Sequence, residues 1–217
     1  MSLFRLDASI RVEGSASREI ADIVEAEWRA GNPAAPVTSR HVGTAPLPAT
    51  AWADAVAGSA VPAERRTPAQ AEAVALAATL ADELIDAEAL LFAVPLYNFG
   101  VSQHFKAWVD LAITDARFAP GAQPPLAGKP AVLVTVHGGN YAAGTPREGW
   151  DHATGWIRRI LEDVWQLDLR TVEREFTLVG VNPALDAFTE MAAELRATAE
   201  REALEHGRRL SASRAAA

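Results

Sequence analysis

An unbroken apolar run from Ala89 to Val94 ends at Pro95, and Leu96-Tyr97-Asn98-Phe99-Gly100 follows before an amphipathic stretch begins. A strand that alternates polar and apolar residues can leave one face in water. One that does not alternate must be covered on both faces, as in the parallel sheets of α/β proteins. The turn after Val94 therefore falls at the carboxyl end of a buried strand, the edge where open α/β sheets bind ligands. A bend that presents a tyrosine, an asparagine and a phenylalanine together is more than a chain reversal needs. Aromatic walls with amide partners suit a flat ring.

The rest of the chain repeats strand and helix signals around this run. Leu3 to Ala8 reads as a first strand, and a polar loop from Ser9 to Ser17 leads into a helix with Ile20, Val24 and Trp28 on one stripe. Gly31 and Pro33 are placed to close that helix. Val37 to Val42 is a weaker second strand, and Gly43 to Arg66 is an Ala- and Pro-rich excursion with a short helix near Trp52 to Val56. In Thr67-Pro68-Ala69-Gln70 the threonine caps a helix, the proline takes its first position and the glutamine bonds back; the helix runs to about Asp86. After the central run comes a helix over about Val101 to Ile113, with Val101, Phe105, Trp108 and Ala112 on one face. A Pro- and Gly-rich loop, Phe118 to Lys129, precedes a strand over Ala131 to Val136. Then come His137-Gly138-Gly139-Asn140-Tyr141, a helix near Asp151 to Trp165, a strand over Leu169 to Phe176 and a last helix from about Pro183 to Arg209.

Strict β-α alternation implies a parallel sheet with helices on both faces. Five strands fit the flavodoxin-like arrangement in the order 2-1-3-4-5, as one domain over residues 1–210. The small, polar residues 211–217 are expected to form a frayed tail. Right-handed crossovers bring three loops to one mouth: Ser9 to Ser17, Pro95 to Gly100 and His137 to Tyr141.

The net charge of −8 opposes binding to nucleic acid or to an anionic membrane surface, both of which need a basic face. The chain has no cysteine, which excludes disulfides, thiolate catalysis and Cys-ligated metal. No apolar stretch approaches the roughly 20 residues that cross a bilayer. The opening MSLFRLDAS lacks a basic start and a long apolar core, so cytoplasm is the expected location.

The loop before the first helix carries Ser9, Ser15 and Ser17. Helix amino ends offer unpaired N–H groups and a positive dipole end, and hydroxyls add donors without charge, so the loop suits a phosphate. Capping explains one serine, expected to be Ser17, but not the other two. Arg11 and Arg18 are expected in solvent. The phosphate loop of nucleotide hydrolases is absent, because Thr145-Pro146 follows Gly144 where Lys and a hydroxyl residue should stand. No G-x-G-x-x-G follows the first strand, no H-E-x-x-H occurs, and no G-x-S-x-G marks a serine nucleophile. Gly138 and Gly139 would let backbone approach a flat ring closely. His137, beside them, is the one histidine placed to border that ring and to steady charge on it.

Taken together, Pro95-Leu96-Tyr97-Asn98-Phe99 with Ser102, Lys106, Trp108 and Asp110 downstream, and Arg66-Thr67-Pro68-Ala69-Gln70 upstream, resemble the FMN-dependent NADH azoreductase and quinone oxidoreductase family over about residues 3 to 207. The resemblance implies a tightly but non-covalently bound FMN. Ser9, Ser15, Ala16 and Ser17 would hold its phosphate. Pro95, Leu96, Tyr97, Asn98 and Phe99 would line its ring, and Val136, His137, Gly138 and Gly139 would border the pyrimidine side. It also implies a homodimer and ping-pong hydride transfer from NADH or NADPH to a quinone, an azo compound or another aromatic acceptor, with no obligatory catalytic side chain and no metal. The family usually has a hydroxyl residue at Val136 and often an arginine at His137, so this chain lacks those partners for the ring.

Two alternatives stand beside this reading. One is a flavoprotein dedicated to a single biosynthetic intermediate, suggested by Val136-His137 and by the loop from Phe118 to Pro125. The other is an electron carrier without its own substrate. Acidity favours a carrier, and the excursion from Gly43 to Arg66, read as a substrate roof, opposes it.

Overall fold

The computed structural model describes residues 1–213. Strands β1 (Leu3–Asp7), β2 (Val37–Arg40), β3 (Ala89–Tyr97), β5 (Pro130–Val136) and β6 (Asp168–Arg174) form a parallel sheet in the order β2-β1-β3-β5-β6. The two-residue β4 (Gly100–Val101) folds back antiparallel on the end of β3. The five long strands thus take the expected flavodoxin-like order, with one short hairpin strand added. Among the described residues, no helix is long and apolar enough to cross a membrane.

Alternation along the strands divides the core into two layers. Phe4, Leu6, Leu90, Phe92, Val94 and Leu133 face helices α2 (Ala51–Ser59), α3 (Pro68–Asp86), α4 (Gln103–Ala112) and α5 (Thr154–Arg158). Leu3, Leu91, Ala93, Val132, Val134 and Val136 face α1 (Ala16–Gly31) and α6 (Thr189–Ala212). On the first face Trp108 stacks with Phe4 and Phe105 and meets Trp165 edge-on, with ring centroids 5.7–6.2 Å apart. Trp165 is therefore a core residue.

Local signals hold at several ends. Thr67 and Gln70 form the reciprocal capping box on α3, with Pro68 at its first position. Elsewhere tertiary contacts override them. Val101 pairs with Leu96 in the hairpin instead of starting a helix, so α4 begins at Gln103. The expected helix up to Trp165 is α-helical only to Arg158 and passes into a π-helical segment, Arg159–Val164. Residues 183–188 are a 3-10 turn ahead of α6. α6 runs on to Ala212, where the Ser211 hydroxyl accepts from Asn32 at 3.1 Å. Helix thus occupies the start of the stretch expected to fray, and residues 214–217 lie outside the described residues.

The excursion after β2 is anchored in the core. Its α2 buries Ala51 and Ala55 in the same core as α3 and α4. Phe118, at the head of the Pro-rich loop, packs on Trp165 at 5.6 Å.

α1 and α6 approach closely at Gly207. A Cβ there would stand 2.7 Å from the carbonyl oxygen of Val24. Gly207→Val should therefore force the helices apart and lower stability by about 1–3 kcal/mol in urea unfolding. An unchanged midpoint would mean that this approach is not tight in solution.

Candidate functional site

The carboxyl ends of β1, β3, β5 and β6 enclose a crevice of about 480 Å³. That lies within the roughly 300–1,000 Å³ of small-molecule sites. Its walls include Ser9, Ser15, Ala16 and Ser17 after β1, Pro95 to Phe99 at the end of β3, Val136 at the end of β5 and Gly138 beyond it, and Thr177 and Leu178 after β6. Loops distant in sequence thus share one space.

The bend after the central strand is a hairpin. Tyr97 pairs with Gly100, which leaves Asn98 and Phe99 as its two-residue loop. Both have positive φ, 48° and 67°. Two left-handed residues match the twist of a tight hairpin, and asparagine accepts that backbone readily. Phenylalanine does not, at a cost of order 1 kcal/mol or more. Three contacts hold it there. Its ring packs edge-on against Trp150 at 5.3 Å and Tyr141 at 6.2 Å, and its carbonyl accepts from His152 N–H at 2.9 Å. Tyr97 ties the hairpin to the first loop: its hydroxyl accepts from Ile10 N–H at 3.1 Å and lies 3.4 Å from Ser9 Oγ.

In the first loop the helix cap is Ser15, not Ser17: Ser15 Oγ accepts from Arg18 N–H. Ser17 sits in the first turn with its Oγ 3.3 Å from Ser15 Oγ. Both are nearly inaccessible, as is Ser9. The N–H groups of Ala16 and Ser17 belong to the first turn, where no earlier helical carbonyl is available to them. Hydroxyls and backbone donors thus converge at this end of the crevice. Arg18 is not in solvent but buried against the β1 end.

The loop after β5 departs from expectation at two positions. Val136 and Gly138 reach the crevice wall, whereas His137 and Gly139 do not. The period of the strand explains His137. Val132, Val134 and Val136 face α1 and α6, so residue 137 projects to the opposite side, toward α5. There its Nε2 lies 3.3 Å from Asp151 Oδ2 and 3.4 Å from Thr154 Oγ1. Its ring meets the site through Tyr141, whose ring stands 5.5 Å away, and its carbonyl accepts from the N–H and Oγ1 of Thr177 on the crevice wall, each at 3.0 Å. Gly139 lies beneath Arg147, whose guanidinium would be 3.4 Å from a Cβ at that position. At Gly138 a Cβ would meet the Leu178 side chain at 2.7 Å, so the β6 loop closes on this wall against bare backbone.

Arg11 and Arg147 are the charged side chains on the wall, and no carboxylate joins them there among the described residues. They occupy opposite ends, one beside the serines and one beside the β5 loop. Thr177, Leu178 and Arg147 escaped sequence reading. The first two follow a strand whose true end is Arg174, and the arginine sits in a loop without periodicity. The depression beside the amino ends of β5 and β6, lined by Arg170, His206 and Arg209, lies at the opposite edge of the sheet.

A profile of the flavodoxin-like fold family matches residues 1–199. A protein of Frankia alni named FMN-dependent NADH:quinone oxidoreductase is 40% identical over 201 residues, covering 92% of this chain and 95% of that relative. Its namesake from Parafrankia sp. is 37% identical over 203 residues, covering 93% and 96%. Among solved structures, an azoreductase from Bacillus anthracis superposes with a TM-score of 0.80 at 18% identity, covering 96% of this chain and 99% of that one, which speaks to the fold.

Asp151 offers a test of the His137 contact. Burial pushes its carboxyl up, but hydrogen bonds from His137, Thr154 and the Thr154 and Ala153 N–H groups outweigh it and hold the group well below its ordinary range. A depressed carboxylate stabilises the fold above its unfolded value, near 4, and that contribution disappears as pH falls through the folded value. Asp151→Asn should cost about 1–2 kcal/mol at neutral pH. Denaturant titrations over a pH series should show the gap to wild type narrowing below about pH 4.

Proposed function

The chain belongs to the flavodoxin-like family of FMN-dependent NADH:quinone oxidoreductases, and from that premise we propose that it passes reducing equivalents from NADH to quinones and azo compounds through a bound FMN. One observation carries the reading: the chemistry of the crevice changes along its length in the order that FMN requires. At the β1 end stand the Ser15 and Ser17 hydroxyls and the amino end of α1, a donor set for a phosphate. Toward β3 and β5, about two strand spacings or roughly 10 Å away, the walls become apolar and flat, with Leu96, Phe99, Val136 and Gly138. When bound, FMN supplies the two-electron chemistry, and the protein supplies binding, orientation and exclusion of water.

The residues divide that work. Ser9, Ser15, Ala16 and Ser17 hold the phosphate. Pro95 to Phe99 and Gly138 clasp the ring. The Val136 side chain offers it no hydrogen bond, and His137 contributes from behind Tyr141 and through its carbonyl, which holds Thr177 on the wall. Hydride transfer through FMN needs no acid–base dyad from the protein. We assign residues 1–210 to a single FMN-binding domain in the cytoplasm. We also assign a second copy of the chain to cover the mouth, where Phe99 and Trp150 remain 37% and 48% exposed.

Turnover separates this reading from an electron carrier. FMN added to the apoprotein should bind and turn the protein yellow, and anaerobic NADH should bleach it. A small quinone should then sustain steady NADH oxidation. Failure to bind FMN removes the proposal, and binding without turnover would leave a carrier. Arg147→Glu should raise KM several-fold for a sulfonated or carboxylated acceptor and leave KM for a neutral quinone unchanged.

A further inference from the structure

Beneath the serine loop lies a buried ionic cluster that the proposed electron transfer does not use. Asp7, the last residue of β1, is fully buried. It accepts from Arg5 Nε and Nη2, each at 3.1 Å, and lies 3.2 Å from Arg18 Nη1. Arg5 is further satisfied by Asp22 at 2.6 Å and Glu25 at 2.9 Å. Arg18, only 9% exposed, spends its remaining donors differently. Its Nε donates to the carbonyl of Arg11 at 2.9 Å, its Nη2 to the carbonyl of Ser9 at 3.5 Å, and its Nη1 to His41 Nδ1 at 2.9 Å.

Those two carbonyls belong to the loop that would face a phosphate. A peptide group is a dipole: turned one way it offers an anion an N–H, and turned the other way it repels the anion with its oxygen. A donor behind the loop that captures the oxygens holds them away from the anion; the Ile10 N–H of the Ser9 peptide donates to the Tyr97 hydroxyl, so there the capture removes a repelling oxygen rather than supplying a donor. Gly43 supplies a second, independent constraint on the same atom. A Cβ at residue 43 would stand 2.1 Å from the Ser9 carbonyl oxygen, so the backbone of the β2 loop is pressed against that group.

We infer that Arg18, anchored by Asp7, is a positioning residue that turns the Ser9 and Arg11 carbonyls inward, so that the site selects a phosphorylated flavin over one without phosphate. This rests on the FMN reading above. Arg18 does not itself line the crevice, so its effect travels through the loop backbone.

Riboflavin, which is FMN without the phosphate, separates positioning from general damage. Dissociation constants of both flavins should be measured on wild-type, Arg18→Met, Arg18→Lys and Gly43→Ala apoproteins, after melting curves establish which variants fold. The expected result is FMN affinity reduced at least about tenfold (1.4 kcal/mol) in each folded variant, with riboflavin affinity within about twofold of wild type. Lysine should fail because an ammonium is a point charge without the guanidinium's fixed fork. Gly43→Ala reaches the Ser9 carbonyl from the other side without altering charge, so it tests the same claim should both Arg18 variants fail to fold. Unchanged FMN affinity, an equal loss for both flavins, or full retention in Arg18→Lys would each overturn the inference. Wild-type protein that binds neither flavin would overturn instead the FMN reading on which it rests.

Discussion

Burial of β3 on both faces is the constraint from which the rest of the architecture follows. Ala89 to Val94 are fully covered, with alternate side chains in two separate cores. A strand in that position leaves no room for polar side chains along its length. All chemistry is displaced to its carboxyl end, where the chain emerges between the loops of β1 and β5. The hairpin at Tyr97 is the first place where the central strand can meet water, and Tyr97 fastens it to the neighbouring loop. One hydroxyl thus joins segments 87 residues apart.

The fold was legible because its signals are redundant. The apolar run of β3, the capping box at Thr67 and Gln70 and the stripe of Ile20, Val24 and Trp28 each persist in the structure. The errors lie where a long-range contact outweighs local preference. Val101 has the periodicity of the helix that follows, but the hairpin claims it. The placement of His137 required a count of strand parity from Val132 onward. Alternation was available in the sequence, but the buried, all-apolar strand conceals it, since both faces are made of the same residue types. Gly139 was grouped with Gly138, but the chain bends at these residues and Gly139 comes to lie beneath Arg147.

The crevice and the cluster beneath it show two uses of charge. Carboxylates are kept off the wall and collected one layer below, where Asp7, Asp22 and Glu25 satisfy Arg5 and Arg18. In a chain of net charge −8, the charged side chains on the wall are, among the described residues, the two arginines. The sequence could not show this segregation. Asp7 reads as the polar end of a strand and Arg18 as an exposed helix residue, and only the packing of α1 on β1 brings them together. Buried pairs of this kind add little net stability compared with an apolar core. Their value here is directional, because the guanidinium has several donors fixed in one plane.

The left-handed phenylalanine at position 99 ties two parts of the molecule to a common fate. Its backbone is unfavourable in isolation and is sustained by Tyr141, Trp150 and His152, all from the segment between β5 and α5. Were that segment to swing away, the bend would lose its support and relax. Were the bend to relax, the segment would lose the aromatic ring it rests on. Hairpin and segment therefore hold each other's conformation, so a substitution that loosens one is felt in the other.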